Sequence, residues 1–173
     1  KRTLVYIFLI STISIIIMMA LLWAYLPNCR ADSFLDPKNG VIVIDAGHGG
    51  IDGGTSKDGI LEKDINLFLS NKLKVILEQK GYQVITTRDQ DISLDGLNRS
   101  SGSRHKRDLN ARVDIINNSN AQLFLSIHVN SNFKKPNDSG SIVFYSNIYQ
   151  ENKDLAYCVQ RELNSLLLNG SKR

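Results

Sequence analysis

The chain has 173 residues, 42% of them hydrophobic and 22% charged, with a formal net charge of +4 at neutral pH. These proportions exclude a disordered chain and leave room for one globular domain behind an apolar amino-terminal segment. The charge is mild, no long Lys/Arg block occurs and aromatics make up only 8%, so nucleic acid is not an expected partner.

Lys1-Arg2 precede an uncharged run from Leu4 to Leu26. As a helix this run is roughly 35 Å long at ~1.5 Å per residue, enough to cross a hydrocarbon core of ~30 Å. Trp23 and Tyr25 fall near its outer end, as interfacial aromatics do, and the positive flank predicts an amino terminus in the cytoplasm with the remainder outside. Residues 1–26 therefore read as a signal anchor and membrane as one partner. A cleaved signal peptide, giving a secreted protein, is the alternative; its apolar region usually spans ~7–15 residues. Residues 27–40 read as a polar linker whose end is marked by Pro37 and Gly40. A mildly basic exported domain suits an anionic wall or membrane surface. Cys29 and Cys158 stand far apart. With neither a CxxC spacing nor a disulfide framework, any metal is expected to be bound without thiolate.

Val41-Ile42-Val43-Ile44 is an unbroken apolar, β-branched run, the pattern of a strand buried on both faces. It breaks into the glycine loop Asp45-Ala46-Gly47-His48-Gly49-Gly50. His48 thus stands just beyond the carboxyl end of a core strand, where ligands gather in open α/β sheets; the alternative is a histidine tolerated in a turn. A helix is predicted from about Glu62 to Lys80, with Ile65, Phe68, Leu69, Leu73, Ile76 and Leu77 at helical spacing and Gly81 closing it. Tyr82–Thr87 is then a second strand. This succession implies a parallel sheet with a right-handed crossover.

Asp91–Arg107 is polar and without periodicity, the signature of a long loop. Within it His105 is flanked by Arg104, Lys106 and Arg107, cations that oppose a metal ion, so it reads as solvated. A helix from about Asp108 to Asn118 places Leu109, Val113 and Ile116 on one face. Leu123-Phe124-Leu125-Ser126-Ile127-His128-Val129-Asn130 then repeats the opening theme, a buried apolar strand with a histidine at its carboxyl end. Pro136 and Gly140 bound a loop, Ser141–Tyr145 is predicted as a fourth strand, and a last helix spans about Asn152–Leu168, burying Leu155, Val159, Leu163 and Leu166 or Leu167. The fold class is α/β: an open, mostly parallel twisted sheet with flanking helices over residues 41–173.

Side by side in one parallel sheet, the two strands bring His48 and His128 to the same rim, and Glu62 reaches that rim from the first turn of its helix. Two imidazoles and a carboxylate with an open fourth position form a hydrolytic zinc site. Glu62 read alone could instead be a first-turn acid favouring the helix dipole. Asp45 is a candidate partner orienting a ligand imidazole, or else a loop cap. Asn130 is a candidate substrate contact, and Arg112 reads as an ion-pairing surface or helix residue. No HExxH occurs, which excludes the zincin arrangement.

The segments Asp45-Ala46-Gly47-His48-Gly49-Gly50, Leu61-Glu62-Lys63-Asp64 and Ser126-Ile127-His128-Val129-Asn130 resemble the three zinc motifs of the "amidase 3" family of N-acetylmuramoyl-L-alanine amidases. The likeness runs from about Gly40 to the end. The short anchor and the Ser103-Arg104…Arg107-Asp108-Leu109…Arg112 segment are similar to members acting in sporulation. The resemblance implies that His48, Glu62 and His128 bind Zn2+. It also implies peptidoglycan as substrate, cleaved between the lactyl group of muramic acid and the L-alanine of the stem peptide during spore cortex maturation. The domain would then lie outside the cytoplasm, on the wall side or between the forespore membranes, with an activator protein left open. The family's catalytic glutamate belongs to a Val-Glu-x-Gly-Phe type motif on a later strand, absent from this sequence; Glu78, Glu151 and Glu162 fall in helices without that context. The expectation is a domain over 41–173 incomplete at its carboxyl end, with the catalytic base unassigned. The alternative is a catalytically impaired peptidoglycan-binding or regulatory fragment.

Overall fold

The computed structural model describes residues 13–21, 35, 40–129, 140–168 and 171–172, with 167–168 and 171–172 described in backbone alone. The chain divides into two units, one over Leu35–Asp138 and one combining Lys1–Phe34 with Ser139–Arg173.

The first unit is built on β1 (Val41–Ala46). Beyond it come β2 (Ser56–Lys57), β3 (Ile60–Leu61), α1 (Glu62–Gln79), β4 (Gln83–Thr86), a 3₁₀ turn (Asp95–Leu97), α2 (Arg104–Asn117) and β5 (Leu123–Ile127). The sheet has the order β4-β1-β5, and both pairings are parallel, Ile44 lying opposite Thr86 on one side and Leu125 on the other. β1 is therefore central, and its apolar run is buried on both faces: Ile42, Val43 and Ile44 have no exposed surface. Ile42 and Ile44 join Tyr82 in a core against which Leu35, Leu73, Leu77, Val84, Leu125 and Ile127 pack.

α1 closes as its sequence suggests. Gly81 takes φ 92, its N–H donates to Glu78 O at 3.0 Å and that of Tyr82 to Leu77 O at 3.2 Å, the paired bonds of a Schellman cap. The face that α1 turns inward is only in part the expected apolar stripe, since Leu73 and Leu77 pack on the core. Glu62, Asn66 and Ser70 are buried, while Phe68, Leu69 and Ile76 are exposed. The inward face is thus apolar toward the end of the helix and polar at its start, where Glu62, Asn66 and Ser70 are buried.

Several expectations are corrected. The polar stretch after Asp91 is ordered sooner than its lack of periodicity implied, because the Ser103 side chain accepts from Lys106 N and caps α2 at Arg104. α2 buries Asp108, Ala111 and Arg112 and exposes Leu109 and Val113. β2 and β3 form an antiparallel hairpin around Asp58-Gly59, both with positive φ, a two-residue turn that such residues favour.

In the second unit, residues 141–145 form no strand. Their backbone is held instead by a side chain: Gln160 Oε1 accepts from Val143 N at 2.8 Å, and Gln160 Nε2 donates to Ser141 O. The following helix, α3, runs Gln150–Ser165 and buries Ala156 and Cys158, whereas Val159 and Leu166 are exposed. β6 (Leu167–Leu168) pairs antiparallel with β7 (Ser171–Lys172) where helix and a turn were expected. Within the apolar run of residues 4–26, residues 13–21 are helical and exposed; the rest of that run lies outside the described residues. Among the described residues no helix is long and apolar enough to cross a membrane.

Candidate metal centre

The site stands at the carboxyl rim of the sheet. His48 follows β1, His128 follows β5, and these strands are hydrogen-bonded neighbours. Gly47 N donates to Ile127 O at 3.1 Å, carrying the pairing one step past the strand ends. The β2–β3 hairpin delivers Glu62 as the first residue of α1. Donor atoms of His48, Glu62 and His128 all lie within 4.8 Å of one another.

Glu62 is the hub. Its Oε2 lies 3.4 Å from His48 Nε2, and its Oε1 3.0 Å from His128 Nδ1. Thr55 donates to Oε2 from its backbone N–H at 2.9 Å and from its hydroxyl at 3.1 Å, and Val129 N donates to Oε1 at 3.1 Å. Burial alone would raise the Glu62 pKa, but the donors from Thr55 and His128 outweigh it and hold the carboxyl below its ordinary value. Glu62 is thus anionic at neutral pH, as a metal ligand must be.

Asp52 orients His48. Its Oδ2 lies 3.0 Å from His48 Nδ1, so Nδ1 carries the proton and Nε2 offers its lone pair on the Glu62 side. The donors from His48 and Gly54 N outweigh the effect of burial and hold Asp52 below its ordinary pKa. The two imidazole rings meet edge to face, with centroids 4.9 Å apart.

Two glycines leave the space these rings occupy. A Cβ on Gly47 would sit 2.3 Å from His128 Cε1, and one on Gly54 2.7 Å from His48 Cδ2 and 2.8 Å from Glu62 Oε2. The loop is also tied from outside, since Lys63 Nζ donates to Gly50 O at 2.7 Å and to Asp91 Oδ2 at 2.6 Å, while Asp91 Oδ1 accepts from Gly50 N. The donor set fits zinc. Two imidazole nitrogens and one carboxylate suit a borderline-soft dication, and 3.4 Å between His48 Nε2 and Glu62 Oε2 matches the edge of a tetrahedron whose arms are about 2.0–2.1 Å.

The other candidates are placed differently. Asp45 touches no imidazole: its buried carboxylate accepts from Thr87, Ser126 and Arg112 at 2.6–2.7 Å. That corrects its expected part as the partner of a ligand histidine, which Asp52 takes. Arg112 is an ion-pairing helix residue as expected, in α2 and paired with Asp45 and with Asp108, but it is buried rather than on the surface. His105 is exposed, as expected. Asn130 lies outside the described residues. Asp52 and Thr55 were missed; the available signal was the Asp58-Gly59 turn, which folds the chain back and sets Thr55 beside Glu62.

With this geometry in hand, comparisons place the chain among known proteins. Residues 42–172 match the family described as N-acetylmuramoyl-L-alanine amidase. The chain is 38% identical over 134 residues to the germination-specific N-acetylmuramoyl-L-alanine amidase of Bacillus subtilis, an overlap covering 77% of this chain and 56% of that protein. It is 35% identical over 112 residues to the sporulation-specific N-acetylmuramoyl-L-alanine amidase of the same organism, covering 64% of this chain and 36% of that one. The chain therefore spans about half the length, or less, of these curated relatives. Among solved structures it is similar to the CwlD amidase from Clostridioides difficile, solved in complex with the GerS lipoprotein. That likeness has a TM-score of 0.68 and 40% identity, over 78% of this chain and 70% of that one. A sheet with histidines on adjacent strand ends, a glutamate opening the crossover helix and a match over most of its length place this chain in the N-acetylmuramoyl-L-alanine amidase family.

Proposed function

We propose that the chain is a zinc-dependent N-acetylmuramoyl-L-alanine amidase that cleaves the amide between the lactyl group of muramic acid and the L-alanine of the stem peptide. The observation that carries the reading is the convergence of His48, Glu62 and His128 within 4.8 Å. Bound zinc supplies Lewis acidity that polarises the scissile carbonyl. The chain's own residues prepare the centre. Asp52 fixes the His48 tautomer, and Thr55 and Val129 fix both oxygens of Glu62. In the hydrolysis the C–N bond breaks, the hydroxyl of water goes to the lactyl carbonyl carbon, and its proton goes to the alanine nitrogen.

The named activities of the Bacillus subtilis relatives support a setting in spore formation or germination. The CwlD–GerS complex supports an accessory protein partner for this chain as well. The uncharged run behind Lys1-Arg2 supports placement outside the cytoplasm, anchored or secreted.

A second reading, a zinc- and wall-binding unit with impaired hydrolysis, is favoured by one observation. The other glutamate of the Leu35–Asp138 unit, Glu78, stands in the last turn of α1, roughly 24 Å along the helix from Glu62 at ~1.5 Å per residue. One assay separates the two readings. Zinc-loaded protein incubated with muropeptides releases free stem peptide and leaves glycan strands intact if it is an amidase. Binding of muropeptide without release supports the second reading, and cut glycan with peptides still attached contradicts both.

A further inference from the structure

His48 holds a left-handed backbone, φ 63, which a residue with a Cβ keeps only where its surroundings fix it. Three side chains from separate parts of the chain supply that fixing, and each reaches the backbone around the ligating imidazole rather than the imidazole itself. Arg88, just past β4, donates from Nε to Ala46 O at 2.9 Å and from Nη2 to Gly47 O at 3.0 Å. Asn66 of α1 donates from Nδ2 to the same Gly47 oxygen at 3.1 Å. Arg112 of α2 donates from Nη1 to Ala46 O at 2.9 Å and from Nη2 to His48 O at 2.7 Å. The carbonyls immediately before and after the His48 Cα are thus both held from outside the loop.

These groups are not surface ornaments. Arg88 is 2% exposed, Arg112 5% and Asn66 not at all. Burying a guanidinium is unfavourable unless it is paired or fully hydrogen-bonded. Arg112 is offset by Asp45 and Asp108. Every hydrogen bond described for Arg88 ends instead on a backbone carbonyl, those of Gln90 and Lys63 completing the set. A planar fork reaches several carbonyls at once where a lysine reaches one or two. We propose that Arg88, Arg112 and Asn66 are positioning residues, a clamp on the carbonyls flanking His48 that aims its imidazole at Glu62 and His128. The inference rests on the zinc reading.

The test measures zinc affinity of the full chain by competition with a chromophoric chelator, and the visible absorption of the cobalt-substituted protein, for wild type, Arg88→Lys, Arg112→Lys and Asn66→Ala. Arg88→Lys keeps the charge and loses the fork; Asn66→Ala removes one donor and leaves both arginines, so it keeps the fold even if an arginine variant does not. The clamp predicts zinc binding weakened by on the order of 10–100-fold in the lysine variants and more modestly in Asn66→Ala, with an altered cobalt spectrum and an unchanged far-ultraviolet dichroism spectrum. A purely architectural role predicts lower melting temperatures with wild-type affinity and cobalt spectrum in the folded protein, which overturns the clamp and leaves the zinc reading standing. A wild-type chain that binds no zinc overturns both.

Discussion

The Nδ1 of His48 lies 3.0 Å from the Oδ2 of Asp52, four residues along the same glycine-rich loop. The carboxylate fixes which ring nitrogen is free and raises its basicity. Asp52→Asn is therefore expected to fold normally, since the side chain is partly exposed, and to bind zinc on the order of 10–100-fold more weakly. Isothermal titration of the metal-free protein with zinc, for both forms, checks this; equal affinities contradict it.

Gly47→Ala should damage the site from the opposite side. The added methyl would lie 2.3–2.4 Å from Cε1 and Nε2 of His128, so the ring or the loop must move. The expected result is a loss of zinc affinity of at least about 10-fold. Gly96→Ala, whose Cβ meets nothing within 4 Å, should bind as the wild type does. The same titration reads both variants.

The network beneath the loop should set the acid limit of stability. Burial acts to raise the Asp45 pKa, but Arg112, Ser126 and Thr87 together hold it below its ordinary value of 3.8. A depressed folded-state pKa means the contribution is complete above 3.8 and fades as the pH falls from there through the folded value. Asp108, also depressed and bonded to Arg112, acts in the same direction. Urea midpoints of the metal-free protein should drop steeply below pH 3.8. In Asp45→Asn the drop should be shallower, and stability at pH 7 lower by about 3–5 kcal/mol, the range for breaking a buried pair. A parallel pair of curves contradicts this.

The parts of the site that were legible in the sequence are those where one local pattern decides the outcome. An unbroken β-branched run ending in glycines marks β1 and leaves His48 at its end; the run from Leu123 likewise places His128, although β5 is not buried on both faces as β1 is and exposes Phe124 and Ser126. The apolar crossover between them makes the strands parallel, which puts both rings on one rim. The illegible parts depend on tertiary partners. Arg112 reads only as an ion-pairing surface or helix residue and Arg88 carries no local signal, because nothing nearby in sequence says that backbone carbonyls and the carboxylates of Asp45 and Asp108 will receive them. Ser141–Tyr145 is β-branched and aromatic like a strand, yet a strand needs an edge to pair with, and Gln160 takes its backbone bonds instead. Asp45 stands nearer in sequence to His48 than its role suggests: it points down into the sheet, to Ser126 and Thr87.

The central claim is that His48, Glu62 and His128 hold one zinc ion. Zinc K-edge absorption on the full chain, with metal content measured by plasma mass spectrometry, tests it directly. The account predicts one zinc per chain, a first shell of nitrogen and oxygen at about 2.0–2.1 Å with no sulfur and the scattering pattern of two imidazoles, all lost in His128→Ala. A chain that purifies and reconstitutes without zinc, or a His128→Ala variant that keeps the metal with an unchanged spectrum, would contradict it.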